Sequence, residues 1–270
     1  MYNQPALLPA WQAWWQAVVP YLKGAGVQDV PHELSWPEDY LAHWRQPQLL
    51  LSQVCALPLV DQLQGQVQYV ASPIFTTELQ AGSEYCSLLL VAENSNIQKL
   101  NDIRLARVAI NDTNSQSGYG TLNHSLMQTQ VPLTELVSAV AESGSHVQSM
   151  KWLQEGKVDI AAIDCITYHF VAKHQPLLLK GLRRIGTTEA TIGHAWVTGV
   201  QTSKATIEQL RTGLQRAMEA PELMGLQSKL SLSGMQVLPD NALEPTASMK
   251  KRTQEAGYDL ALLPKLKLTP

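Results

Sequence analysis

The sequence predicts an α/β fold arranged as two lobes, and three observations carry that prediction. Short apolar segments of strand length alternate with helical patterns along the chain, which favours mostly parallel sheets with helices on their faces. The chain holds 270 residues, 45% hydrophobic and 16% charged, enough apolar material for one large core or two smaller ones and too little charge for disorder. Its middle section reads as a strand and helix succession of its own, from which the chain returns to the region where it began.

Taken in order, Trp11, Trp14, Trp15, Val18, Val19 and Leu22 recur at helical spacing, so the tryptophans read as core, and Gly24-Ala25-Gly26 ends that helix. Residues 49–51 and 67–71 read as buried strands, and 85–92 as a longer strand leaving the first region. Strand candidates at 108–110, 137–141 and 159–163 then alternate with helices beginning near Ser117, Ser145 and Asp164. Segments 182–186 and 195–199 lead back, followed by helical patterns over 207–218 and 221–230. The expected crossovers, near 88–93 and 190–197, make lobe 1 discontinuous (1–90 plus 195–270) and leave 91–194 as lobe 2. Ligands of such α/β sheets bind where strand ends and helix starts meet in a cleft.

Composition excludes several function classes. A formal net charge of −3, a pI near 6.2 and the lack of any basic run give no footprint for nucleic acid. Cys55, Cys86 and Cys165 stand singly, without a C-x-x-C pair or zinc spacing, and an odd number cannot all pair internally; they read as buried free thiols, which leans toward a reducing compartment. His169 and His174 lack the spacing of a helical metal pair, so no metal site is indicated. No G-x-S-x-G elbow, P-loop, dinucleotide fingerprint or zinc-protease helix is present, so no cofactor is indicated either. No segment reaches the roughly 18 apolar residues that span a bilayer, which argues against membrane insertion. Residues 1–21 carry no leader pattern; the chain as it stands reads as cytoplasmic, or as periplasmic where a leader has been removed.

The richest stretch is Asn114-Ser115-Gln116-Ser117-Gly118-Tyr119, which joins the apolar segment 107–110 to a helix. Backbone N–H groups of a first helical turn have no intrahelical partner, and with the helix dipole and the Ser and Gln side chains they suit a phosphate, phosphonate or carboxylate. The plainer reading stays open beside it: Ser115 or Ser117 caps the helix and Gly118 supplies backbone freedom. A second polar helix start, Gly144-Ser145-His146, would face the same ligand or else be an exposed cap. Asp164, at the carboxyl end of its strand, either caps the next helix or faces the ligand, and Glu189 beside Thr187 and Thr188 raises the same choice. A carboxylate at the site points to a ligand that is zwitterionic or hydroxylated as well as anionic.

In order along the chain, the Ser115-Gln116-Ser117-Gly118-Tyr119 turn, the Gly144-Ser145-His146 helix start and Gly156-Lys157-Val158-Asp159 resemble the phosphonate and phosphite solute receptors of ABC transporters. The similarity covers residues 45–200 and falls in a leaderless branch of that family. It implies a type II periplasmic-binding-protein fold whose two lobes close by a hinge motion over a small phosphate-like or phosphonate-like anion, without catalysis, in partnership with an ABC permease. Ser115, Gln116, Ser117 and His146 would then contact the anion, with Asn114, Gly118, Tyr119, Ser145 and Asp164 in the same lining. Tyr85 matches a ligand-facing Tyr of the family, and Ser52 with Gln53 would face the anion from lobe 1. Gln116 stands where these receptors more often carry Thr, which reshapes the pocket. The fold also resembles the cytoplasmic lyases of the futalosine route to menaquinone; in that enzymatic alternative His146 or Asp164 would be a general acid or base.

Overall fold

Three tryptophans on one helical stripe set the first element. In the computed structural model, which describes residues 2–80 and 82–268, α1 (Leu8–Gly24) buries Trp11, Trp14, Trp15, Val18, Val19 and Leu22 on one face. Val27 donates its N–H to the Leu22 carbonyl and Gly26 to that of Lys23, with Gly26 at φ +97°. This turn closes the helix as a Schellman motif, which is why a glycine stands there.

The chain falls into two units, one running to Thr76 and resuming over Gly193–Asp240, the other comprising Thr77–Ile192 and the segment from Asn241 onward. After α1, the first unit holds α2 (Tyr40–Trp44), β1 (Ser52–Cys55), α3 (Ala56–Val60) and β2 (Val67–Phe75). The second unit then contributes β3 (Glu84–Tyr85), β4 (Ser87–Ala92), β5 (Ala106–Ile110), α4 (Thr121–Gln128), α5 (Leu133–Leu136), β6 (Val137–Glu142), α6 (His146–Gln154), β7 (Ile160–Asp164), α7 (Cys165–His174), β8 (Leu182–Thr187) and β9 (Thr191–Ile192). The first unit resumes with β10 (His194–Gly199), α8 (Lys204–Glu219), α9 (Met224–Lys229) and β11 (Leu232–Gln236), and α10 (Glu244–Glu255) belongs to the second. Among the described residues no helix is long and apolar enough to cross a membrane.

The first unit is built on a sheet of order β1-β10-β2-β11 whose neighbours are all antiparallel. Trp44, Leu49, Val54, Leu63, Ala195 and Val197 form a core cluster against it. On α8, a Cβ at Gly213 would stand 2.9 Å from Leu22 Cα and 3.0 Å from the Tyr21 carbonyl oxygen, so glycine sets the close approach of α8 to α1. The second unit carries the order β6-β5-β7-β4-β8. Here β5 runs parallel to both β6 and β7, while β4 is antiparallel to β7 and β8. Arg107 locks β5 to β7: its N–H and guanidinium donate to the Asp159 carboxylate at 2.7 to 3.1 Å.

Three expectations are corrected. The sheets are not mostly parallel: strand and helix alternation implies parallel neighbours only where a helix crosses between adjacent strands, and that holds for β5, β6 and β7 alone. Residues 49–51 precede a strand; β1 begins at Ser52, and the Leu49 carbonyl accepts from Gly199 N–H and Thr198 Oγ1. The first change of unit comes after Thr76 rather than near 88–93, the second after Ile192 within the expected 190–197, and a third, unexpected one after Asp240. The segment from Asn241 onward, expected with lobe 1, packs on the second unit. Tyr258 OH donates to the Val131 carbonyl, Leu260 N–H to Asn123 Oδ1, and Leu266 N–H to the Val140 carbonyl at the β6 edge.

A Cβ at Gly199 would overlap the Pro47 carbonyl oxygen and stand 2.6 Å from Pro47 C and 2.8 Å from Leu49 N, all backbone atoms that cannot rotate away. Gly199→Ala is therefore expected to destabilise the chain by about 1–3 kcal/mol or more, the usual range for overpacking. Urea unfolding checks this, and an unchanged midpoint would show that the 47–49 segment yields freely.

Candidate functional site

Three helix starts of the second unit meet at one edge of its sheet, and each is capped by a side chain from the polar segments singled out above. Ser115 Oγ accepts the Gly118 N–H at 3.1 Å, Ser145 Oγ the Gln148 N–H at 3.2 Å, and Asp164 Oδ1 the N–H groups of Ile166 and Thr167 at 3.0 and 2.8 Å. Capping is thus what Ser115, Ser145 and Asp164 do for the backbone. The Ser115 turn is wide: Gln116–Gly120 is one turn of π-helix, with Gly120 donating to the Ser115 carbonyl at 3.0 Å before α4 begins.

The caps also touch one another through His146. Ser117 Oγ lies 2.9 Å from His146 Nε2 and 3.2 Å from Ser115 Oγ, and Asp164 Oδ2 is 3.3 Å from the same Nε2. Ser115, Ser117, Asp164 and His146 are all buried, His146 at 9% exposure being the most open of the four. The tautomer sets the direction of the Ser117 contact: a proton on Nε2 makes the ring the donor toward Ser117 and Asp164, and a proton on Nδ1 leaves Nε2 to accept from the Ser117 hydroxyl. Burial holds His146 below its ordinary value of 6.5, against the opposing pull of Asp164 and, more weakly, the Ala162 carbonyl, so the ring is neutral near pH 7.

The other candidate residues divide. Gln116 is buried, and its Nε2 is directed at Thr191 Oγ1 (3.4 Å) and Met249 Sδ (3.6 Å). Tyr119 donates its hydroxyl to the Asp259 carboxylate of the C-terminal segment. Asn114 is half-buried, its N–H on Asp112 Oδ1 at 2.7 Å. Tyr85 is fully buried on β3, opposite Thr191 of β9. Ser52 and Gln53 open β1 of the first unit, opposite Val197 and Trp196 of β10, rather than ending a strand over 49–51. Glu189 is engaged by His124, whose Nε2 is 2.8 Å from its carboxylate.

Sequence reading missed Ser87, Thr121 and Asn111. Ser87 Oγ and Thr121 Oγ1 both donate to the Ser117 carbonyl, at 3.0 and 2.9 Å, and hold the turn from two elements. A Cβ at Gly118 would overlap Asn111 Oδ1 and stand 3.0 Å from His146 Cε1, so a side chain there would displace the Asn111 amide and crowd the imidazole. Asn111 directly follows the apolar run 108–110, the one local signal that could have flagged it. Among the described residues, no group of three or more His, Cys, Asp or Glu side chains is placed to hold a metal ion.

The family model for the periplasmic substrate-binding protein of phosphonate ABC transporters matches residues 13–242. No curated protein shows significant similarity to the chain. Among solved structures, the binding-protein component of an ABC phosphonate transporter from Pseudomonas aeruginosa superposes with a TM-score of 0.73 at 18% identity, covering 89% of this chain and 82% of its own. PhnD1 of Prochlorococcus marinus, in complex with methylphosphonate, gives 0.67 at 15% identity over 89% and 94%. XAC2383 of Xanthomonas citri, bound to ATP, gives 0.69 at 15% over 92% and 94%. At these identities the likeness establishes the fold, the type II periplasmic-binding-protein class.

A buried neutral histidine makes stability depend on pH with a definite sign. Below pH 6.5 the unfolded chain takes up a proton that the folded ring refuses, so stability is full above the ordinary value and falls as pH drops through the lower folded value. The loss is about 1.4 kcal/mol per unit of depression. His43 and His169 are also held down by burial, so the test is the difference between the native chain and His146→Gln in urea unfolding from pH 7.5 to 5. The variant should show the shallower decline; parallel curves would mean the ring is not held neutral.

Proposed function

The chain belongs to the family of periplasmic phosphonate substrate-binding proteins of ABC transporters, and from that membership we propose that it captures a phosphonate or similar small oxyanion for delivery to a permease. The family is one of solute receptors rather than enzymes, and nothing in the match supports the lyase alternative. The observation that carries the proposal is the buried Ser115, Ser117 and His146 cluster at two helix starts, with Ser117 Oγ 2.9 Å from His146 Nε2. Hydroxyl hydrogens, first-turn amides and an imidazole that can gain a proton replace the water a small anion loses.

Asp164 shapes which anion is accepted. Its carboxylate lies against His146, so a dianion beside it is penalised while a monoanion with a protonated oxygen, or a zwitterion, is not. An oxyanion next to His146 favours the imidazolium, with Asp164 sharing the charge. Binding therefore takes up a proton wherever the free ring is neutral. As a receptor of this family the chain works outside the cytoplasmic membrane, on the side from which its transporter loads, and Tyr85 of the second unit is the candidate for the rest of the ligand.

Calorimetry with methylphosphonate tests the cluster. Ser115→Ala with Ser117→Ala should weaken binding at least tenfold, since the two hydrogen bonds to an anion contribute about 1.5–3 kcal/mol each. The lost cap costs only about 1 kcal/mol of stability, so the variant stays folded. Undiminished affinity would move the site elsewhere. Corrected for the ligand's own titration, native affinity should rise as pH is lowered from 7.5 until the free ring itself protonates, and His146→Gln should flatten that rise. An identical slope in the variant would remove His146 from the site.

A further inference from the structure

Cys86 and Cys165 stand opposite one another where the β4–β7 ladder runs out. The last register pair of that ladder is Ser87 with Asp164, and the Cys165 N–H donates to the Cys86 carbonyl at 3.0 Å, which carries the pairing one residue further. Directly opposed residues of an antiparallel pair send their side chains to the same face. At a hydrogen-bonded pair the Cα atoms are about 5.5 Å apart, inside the ~4.4–6.8 Å that a disulfide spans. Both thiols are buried and free, and each acts on the titration of the other. Thr77 Oγ1 donates to Cys165 Sγ at 3.7 Å, and Cys86 Sγ reaches the Leu79 carbonyl at 3.8 Å, so local groups position both sulfurs. Cys55 belongs to the other unit.

We propose that Cys86 and Cys165 are a redox pair that closes to an intramolecular disulfide by exchange with an external disulfide. The roles of the two sulfurs differ. Contact with Cys165, assisted by the charge of Arg184 and opposed by burial, lowers Cys86 to about 7, whereas contact with Cys86, burial and the Asp164 carboxylate push the Cys165 thiol upward. Cys86 is also the more exposed, at 8% against 3%. The Cys86 thiolate attacks one sulfur of the external disulfide; a new S–S bond forms, the old one breaks, and the displaced thiolate leaves and takes up a proton. Cys165 then gives up its proton and attacks the Cys86 sulfur, releasing the second external thiol. Two protein thiols are oxidised by two electrons and one external disulfide is reduced to two thiols. An oxidising compartment, where this family works, populates the closed form. The bond ties the first residue of α7 to the residue preceding β4, beside the Asp164 and Ser87 contacts that support the anion cluster.

The full chain, reduced, desalted and equilibrated with excess oxidised glutathione, tests this. Counted after denaturation, free thiols should fall from three to one per chain, and unreduced peptide mapping should join Cys86 to Cys165 and leave Cys55 a thiol. Cys165→Ser should trap a glutathione adduct on Cys86, while Cys86→Ser should leave Cys165 unmodified. Three persistent thiols at equilibrium, or a bond that includes Cys55, would overturn the pair. Equal adduct formation on Cys165 in the Cys86→Ser variant would overturn the assignment of Cys86 as the attacking sulfur.

Discussion

Buried helix N-termini must have their unpaired amides met, and in the second unit that requirement shapes the whole candidate site. An orphaned buried donor costs about 1–3 kcal/mol, and at the turns that follow β5, β6 and β7 a side chain supplies the acceptor. The parallel run of β6, β5 and β7 sends three strands out at the same sheet edge. The helical turns that follow begin there, and their caps, Ser115, Ser145 and Asp164, are held within one small region. Convergence of polar groups is thus a consequence of strand direction, and His146, as the first residue of α6, is placed among them by the same geometry.

The antiparallel strands complete the edge from the other direction. Because β4 opposes β7, its first residue, Ser87, lies beside Asp164 and can hold the Ser117 carbonyl. Because β8 opposes β4, its end delivers Thr188, whose hydroxyl accepts the Ser87 N–H at 2.9 Å. The same crossing places Cys86 and Cys165 face to face, one step beyond the last ladder pair. Gln116 shows how a longer side chain is accommodated where the resemblance leads one to expect Thr: its amide reaches to β9 and α10 at Thr191 and Met249.

Electrostatics inside this edge are poised rather than neutralised. A carboxylate, a neutral imidazole and two hydroxyls share short contacts with no lysine or arginine among them. Such a cluster accepts one negative charge most readily when a proton arrives with it, which ties ligand capture to His146 and keeps Asp164 compensated.

Local pattern determined much of the architecture. The tryptophan stripe of α1, the Gly26 turn that ends it, the helix starts near Ser117, Ser145 and Asp164, and the strands β2, β4 to β8 and β10 were legible, because spacing, caps and left-handed turns are set by neighbouring residues, whereas β1, β9 and β11 were not. The Ser-Gln-Ser-Gly-Tyr turn and the Gly-Ser-His start carried the family as well. Only the tertiary structure decided strand direction in the first unit, the packing of the segment from Asn241 onward on the second, and the meeting of Ser117 with His146 and Asp164. Those features depend on hydrogen-bond ladders between residues distant in sequence, and a period of two or of 3.6 residues records which face is buried but not which strand lies beside it.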